Sequence, residues 1–291
     1  MILVRPIKDI LLEEYWNIAY RTVDENEYIF IDKNHEFKAL AEDKRYWYAD
    51  PFVFEYKDKL FLFVESFDNV KEKGLIACSE FDGEKFSVPK IVLEEDFHLS
   101  FPFVFEENGE IFMMPETMDD GCIQLYKAVS FPYQWEKYKV LLHLKNAVDT
   151  IKVGNKLIIS NITDSFEKRV DVDVYDMDRN LFCSKLKKNS QVGRGAGKLI
   201  AFGEKTLRPA QNSEGGEYGA GIEFWILDES DGTVYESEGY SLSKDDFFIS
   251  GNRKTNGVHT YARAKNIEII DYKSRRTNLK RLFWILKRKF N

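Results

Sequence analysis

The segment Ala49-Asp50-Pro51-Phe52-Val53-Phe54-Glu55 returns 51 residues later as Ser100-Phe101-Pro102-Phe103-Val104-Phe105-Glu106. The correspondence continues downstream, where Phe61 meets Phe112 and Glu65 meets Glu116. Both copies are short apolar strands punctuated by turns, and self-similarity at a period of about 50 residues marks a propeller or a repeat array. No other feature narrows the fold so far. The repeat also sets acidic side chains at equivalent points of successive units.

Each unit reads as four short strands, which make one propeller blade. The first runs from 49 through a turn at Lys57-Asp58-Lys59 to 65, then Gly74 to Glu80, an Asp82-Gly83 hairpin signal, and Lys85 to Val92. The second has 101–106, a turn at Asn108-Gly109, 110–115, 122–128 and 136–142. A third opens at Ala147-Val148-Asp149-Thr150, turns at Gly154-Asn155, and includes the alternating Val170 to Tyr175. The fourth opens near Gly193 to Lys198 and continues through Arg208 to Trp225, and the fifth is Gly257 to Asp271. Steps of roughly 50, 50, 45 and 60 residues suit four-stranded blades. Residues 15–32, with Tyr15 to Tyr20 and Tyr28 to Ile31, are left to supply the strands that close the ring. The expected fold class is all-β: a five-bladed β-propeller over residues 1–272, followed by a short basic amphipathic C-terminal helix over 273–291. Proline donates nothing to a strand ladder, so Pro51 and Pro102 are expected at strand starts beside the central channel, aiming the preceding residue at its mouth.

Composition excludes several classes. An apolar share of 44% supplies a core, and 15% aromatic suits pleated strands. A net charge of −7 argues against a nucleic-acid partner. Cys78, Cys122 and Cys183 are odd in number and lack metal-ligand spacing, so they read as reduced core residues of a cytosolic protein. The N-terminal apolar run carries Arg5, Lys8 and Asp9, which is not a signal-peptide pattern, and no stretch reaches the ~18 apolar residues of a spanning helix.

The clusters Trp47-Tyr48-Ala49-Asp50-Pro51-Phe52, His98-Leu99-Ser100-Phe101-Pro102-Phe103, Met114-Pro115-Glu116-Thr117, Val148-Asp149-Thr150 and Leu207-Arg208-Pro209-Ala210-Gln211-Asn212 follow one another along the chain. With Tyr218-Gly219 and Gly257-Val258-His259-Thr260, they resemble the family-43-type glycoside hydrolase propellers. The likeness is nearest the branch that includes the N-terminal domain of plant glucosamine inositolphosphorylceramide transferases, and it spans roughly residues 15–272. Glycosidic chemistry needs carboxylates on opposite sides of a sugar, one as acid and one as base or nucleophile. The resemblance implies Asp50 as the first-blade acid, the general base of inverting members, with Glu116 and Asp149 as the others. Phe101 stands where some related hydrolases have a further carboxylate, which weakens the case for hydrolysis by the standard arrangement.

Each candidate has a structural alternative. Asp50 can cap backbone amides near Pro51. Glu65 and Glu116 end equivalent strands and can tie neighbouring blades together, and Asp149 can make a turn with Thr150. Arg208 suits a carboxylate or phosphate, or a salt bridge to one of the acids. Glu65, Ser100, Arg194 and Arg208 are candidates for binding substrate, and Gln211, His98 and His259 for bonding sugar hydroxyls, against a role for the histidines as satisfied core groups.

Other motifs fail on inspection. Gly193 to Lys198 lacks the spacing and the Ser/Thr of a P-loop. Asp171, Asp173, Asp176 and Asp178 lack the glycine and terminal glutamate of a calcium loop. No cofactor and no metal is expected.

From Lys273 onward the chain turns basic, with eight Lys or Arg and no acid. Leu279, Leu282, Phe283, Leu286 and Phe290 share one helical face with Trp284 at its border. Such a helix reads as an in-plane anchor on anionic lipid through Arg275, Arg276, Lys280, Arg281, Trp284, Lys287 and Arg288. A helix docked on the propeller or on a partner protein is the alternative. The reading that joins these features is a carbohydrate-active propeller at the cytoplasmic face of the membrane, transferring or trimming a sugar in glycan or glycolipid assembly. Its partners would be a glycan, a sugar nucleotide or a lipid-linked sugar. The alternatives are a non-catalytic glycan-binding scaffold that recruits a glycosyltransferase, and an inverting glycoside hydrolase.

Overall fold

The structure is a computed structural model that describes residues 12–24, 26–33, 36–230, 233–251, 255–280 and 283–284. Five antiparallel sheets follow one another as blades. The first blade is Tyr46–Tyr56, Lys59–Asp68, Lys73–Glu80 and Lys90–Leu93, and the second Ser100–Glu107, Glu110–Glu116, Cys122–Ser130 and Gln134–His143. The third is Ala147–Val153, Lys156–Asp164, Arg169–Asp176 and Leu181–Ser190. In the fourth, Val192–Gly195 and Ile200–Phe202 both pair with Lys205–Asn212, followed by Gly221–Ser230 and Thr233–Ser243. The fifth is composite: Tyr261–Ala264 and Ile267–Thr277 are completed by Leu12–Thr22 and Lys38–Ala39.

The N-terminal strand thus closes the ring, but Tyr28–Ile31 does not join it as expected. That segment is a turn, with Ile31 N–H donating to the Tyr28 carbonyl at 2.8 Å. The reason is Glu268, fully buried beside Arg21 (2.5 Å), which takes the Ile29 N–H at 2.9 Å and removes it from any ladder. Lys38–Ala39 is the outer strand instead.

Between blades the aromatic content is put to use. Phe52 meets Phe101 edge-on with ring centroids 4.7 Å apart, and Phe131 packs against Phe54, Tyr56 and Phe61. Such pairs add about 0.5–1.5 kcal/mol each beyond their buried area. Cys78 and Cys122 are buried and Cys183 half-buried, all as free thiols.

The repeat has one geometric cause. Asp50, Phe101 and Asp149 share a left-handed backbone, with φ of 50°, 46° and 46°, each at a register break in an inner strand. Pro51 and Pro102 therefore sit at a bulge inside the strand rather than at its start. A bulge leaves one residue out of the ladder, which is where a residue with no N–H costs nothing. The bulge turns the side chain before it toward the channel.

The last strand runs to Thr277, so Lys273, Arg275 and Arg276 belong to the propeller and not to a terminal helix. Arg276 is buried against Glu13 at 2.9 Å, away from any lipid surface, and Arg275 is exposed and pairs with Glu14 at 2.8 Å. Leu279, Lys280, Phe283 and Trp284 have helical backbone. Arg281, Leu282 and residues 285–291, with Lys287 and Arg288, lie outside the described residues, so the amphipathic helix is not shown. Among the described residues no helix is long and apolar enough to cross a membrane.

Candidate active site

Inner-strand bulges and the strands opposite them bring two groups of charged side chains to the channel. The first lies between the fifth and first blades. Asp50, 5% exposed, accepts the Phe101 N–H (3.1 Å) and the Thr260 hydroxyl (2.9 Å), and lies 3.2 Å from His259 Nε2. His259 Nδ1 lies 2.8 Å from Asp271 Oδ2. Asp271, fully buried, also accepts the backbone N–H groups of Asp50 (3.1 Å), His259 (3.0 Å) and Thr260 (3.0 Å).

An imidazole with a carboxylate at each nitrogen holds both protons. Burial disfavours the charge on His259, but Asp271 and Asp50 outweigh it and push its pKa up to about 10. Burial likewise pushes Asp50 up, yet the hydrogen bond and charge of His259, then Thr260 and Arg194, hold it below the usual carboxylate range. The ligand atoms of Asp50, His259 and Asp271 lie within 4.8 Å of one another, the kind of cluster that can hold a metal. Here the imidazolium already supplies the positive charge, and a cation would have to displace it.

The second group joins the second, third and fourth blades. Asp149, 2% exposed, accepts from Arg194 Nε, from Arg194 Nη2 (3.3 Å) and from Gln211 Nε2 (2.9 Å). Glu116 has Arg194 Nη2 at 3.5 Å and faces the Asp149 carboxyl, to which it donates. One guanidinium cannot neutralise two buried acids. Burial and then the Asp149 charge raise Glu116 well above the carboxylate range, so it keeps the proton and Asp149 is the ionised partner. Gly195 makes this approach feasible, because a Cβ there would lie 2.6 Å from the Asp149 carbonyl oxygen.

The remaining candidates divide. Glu65 pairs with His98 Nε2 at 3.2 Å, while Gly74 N–H donates to His98 Nδ1 (3.1 Å), which assigns the neutral Nε2–H tautomer. Burial pushes the Glu65 carboxyl up. Ser100 is buried opposite Glu116 in the ladder. Arg208 stands apart: it is fully buried, bonded through Nε to Glu236 and through Nη1 to the Gly193 carbonyl (3.0 Å). Side chains alternate along a strand, and Arg208 lies an odd number of residues from Gln211, so the two point to opposite faces.

With this geometry in hand, the comparisons are informative. The family model of the N-terminal part of glucosamine inositolphosphorylceramide transferase 1 matches residues 41–275. The chain belongs to this family. Glucosamine inositolphosphorylceramide transferase 1 of Arabidopsis thaliana is 46% identical over 110 residues, 37% of this chain and 14% of the plant protein. The protein of that name from Oryza sativa subsp. japonica is 32% identical over 196 residues, 62% of this chain and 26% of the rice protein. The alignments thus span about a quarter or less of those relatives' lengths. In fold, the chain is similar to an α-L-arabinofuranosidase of Podospora anserina solved with cellotriose (TM-score 0.54, 10% identity, 77% of this chain and 90% of that one). It is also similar to the catalytic domain of a family-62 α-L-arabinofuranosidase of Coprinopsis cinerea (TM-score 0.52, 10% identity, 89% and 97%). At such identity the likeness is one of fold.

Sequence reading of this transferase-family propeller missed Asp271, Thr260 and Trp16 as parts of the site. Trp16 packs on His259 with centroids 4.1 Å apart, and Tyr218 lies 5.0 Å from the imidazole and edge-on to Trp16 at 5.9 Å. Only the register of the folded sheets reveals Asp271: it opposes Thr260 as Glu65 opposes Ala49 and Glu116 opposes Ser100.

Proposed function

We propose that this propeller transfers or trims a sugar in glycolipid or surface-glycan assembly. In this reading Glu116 is the general acid, Asp149 the group that keeps it protonated, and Asp50 a fixed negative charge facing the cation-like sugar. The observation that carries it is the unequal supply of donors to two buried carboxyls. Asp50 has Phe101 N–H, the Thr260 hydroxyl and His259, which against burial hold its pKa low. Among the described residues Glu116 has only Arg194 Nη2 at 3.5 Å, and burial and the facing Asp149 raise its own. Opposed environments of that kind assign acid and base roles. Glu116 would give its proton to the departing glycosidic oxygen, and the negative charge at Asp50 would stabilise the oxocarbenium-like centre.

With Phe101 N–H, Thr260 and His259 already on its oxygens, Asp50 is better suited to a stabilising charge than to taking a proton. That same saturation favours a second reading, a glycan-binding scaffold that recruits a glycosyltransferase. The test is turnover of a glycosyl donor by wild type, Glu116→Gln and Asp50→Asn. General acid catalysis contributes about 10²–10⁴-fold, so Glu116→Gln should lose that much while still binding substrate. Full turnover in both variants would end both site assignments, and binding without turnover in the wild type would favour the scaffold.

We place the action at the cytoplasmic face of a membrane. Leu279 and Phe283, 70% and 65% exposed beside Lys280, support an anchor on anionic lipid. Co-sedimentation with phosphatidylserine vesicles, lost on Leu279→Ser/Phe283→Ser, is the expected outcome; equal sedimentation would refute it.

A further inference from the structure

A cavity of about 240 Å³ adjoins the acid pair through Arg194, and Tyr218, beside His259, also lines it. Its outer wall is the turn between the second and third strands of the third blade, which contributes Asp164, Ser165, Lys168 and Arg169. Lys168, Arg169 and Arg194 are all among its lining residues, with Ile162 and Val170 on the strands. Lys168 Nζ donates to the Ser165 carbonyl (2.9 Å) and Arg169 Nη1 to the Asn189 carbonyl (3.0 Å), and neither has a carboxylate partner among the described residues. Arg194 gives Nε and Nη2 to Asp149 and Glu116, which leaves Nη1. The one acid in the wall, Asp164, has Oδ1 turned to the N–H groups of Phe166 and Glu167, both at 2.9 Å.

A neutral sugar has no use for cations lacking carboxylate partners, whereas a phosphate is matched by them. The volume also discriminates. It falls below the ~300–1,000 Å³ of pockets that take a whole ligand, so the cavity suits one group of a larger molecule seated partly at the acid pair.

We propose that this cavity is the phosphate subsite of the substrate, with Lys168, Arg169 and Arg194 holding a phosphate that flanks the reacting sugar. The proposal rests on the glycosyl reading above, since it names the anionic part of the same ligand. A lipid headgroup phosphodiester and the diphosphate of a sugar nucleotide share this chemistry.

The test is binding of three probes to the full chain and to Lys168→Gln/Arg169→Gln: myo-inositol 1-phosphate, uridine diphosphate, and phosphatidylinositol in phosphatidylcholine vesicles. Both residues lie in a surface turn, and the thermal midpoint of the variant serves as the folding control. At least one probe should bind the wild type and lose about tenfold or more in affinity in the variant. Dependence confined to the inositol probes assigns a lipid headgroup, and dependence confined to uridine diphosphate assigns a donor. Binding of every probe indifferent to the double variant, or of none to the wild type, overturns the subsite. Phe166→Ser, 84% exposed at the same turn, should keep the affinity; an equal loss there would trace the effect to the turn's shape and overturn the assignment. Failure of the glycosyl reading is seen separately, as phosphate binding that needs Lys168 and Arg169 in a wild type that turns over no donor.

Discussion

Two buried clusters in this channel have the same inventory, two carboxylates and one cation, and opposite protonation. Between the fifth and first blades, Asp50 and Asp271 share His259; between the second and fourth, Glu116 and Asp149 share Arg194. In the first, backbone N–H groups and the Thr260 hydroxyl supply donors to both acids. In the second, Gln211 and most of the guanidinium go to Asp149, and Glu116 is left short. Counting donors decides which acid stays charged. The first cluster ties the fifth blade to the first, and the second leaves a protonated carboxyl at Glu116.

The largest break in this comparison should come at Asp271. Asp271→Ala strands a buried imidazolium and three backbone donors, and breaking one partner of a buried pair costs about 3–5 kcal/mol. Denaturant titration should show that loss. Glu116→Gln should do the reverse, replacing a neutral carboxyl by a neutral amide of the same shape and leaving stability within about 1 kcal/mol of wild type. An equal loss in the two variants would erase the distinction between the two clusters.

A pH series separates the clusters next. His259 keeps in the folded state a proton that the unfolded chain releases above about 6.5. Its contribution is whole below that pH and is lost as the pH rises through about 10. The stability difference between wild type and His259→Gln should therefore shrink across that window. Asp50, held low, has the opposite sign: its contribution is present above the ordinary carboxylate pKa and lost as the pH falls through its folded value. Asp50→Asn should blunt the acid-side loss, and no change on that side would contradict the ionised assignment. The smallest effect should be Glu65→Gln, about 0–1 kcal/mol, because the amide oxygen can still accept from His98 Nε2.

The ring was legible because its bulge is written in sequence. The repeat of Asp50-Pro51 in Phe101-Pro102 reports the same left-handed residue in successive inner strands, and Asp149 shares it without a proline. The acids on or opposite those bulges could thus be picked out. Asp271 could not, since the fifth blade repeats neither the proline nor the flanking phenylalanines, and its importance comes from backbone groups that any residue presents. Arg208 misled because strand alternation is not visible until the register is known. Tyr28 to Ile31 misled because an aromatic and β-branched run has strand character on its own, while Glu268 takes its amide from far along the chain.

The most direct test of the account is a difference infrared spectrum in the carboxyl region at neutral pH, wild type against Glu116→Gln and against Asp50→Asn. The account predicts the C=O stretch of a protonated, buried carboxyl that disappears with Glu116→Gln and survives Asp50→Asn. A band that persists without Glu116, or vanishes with Asp50, would contradict it.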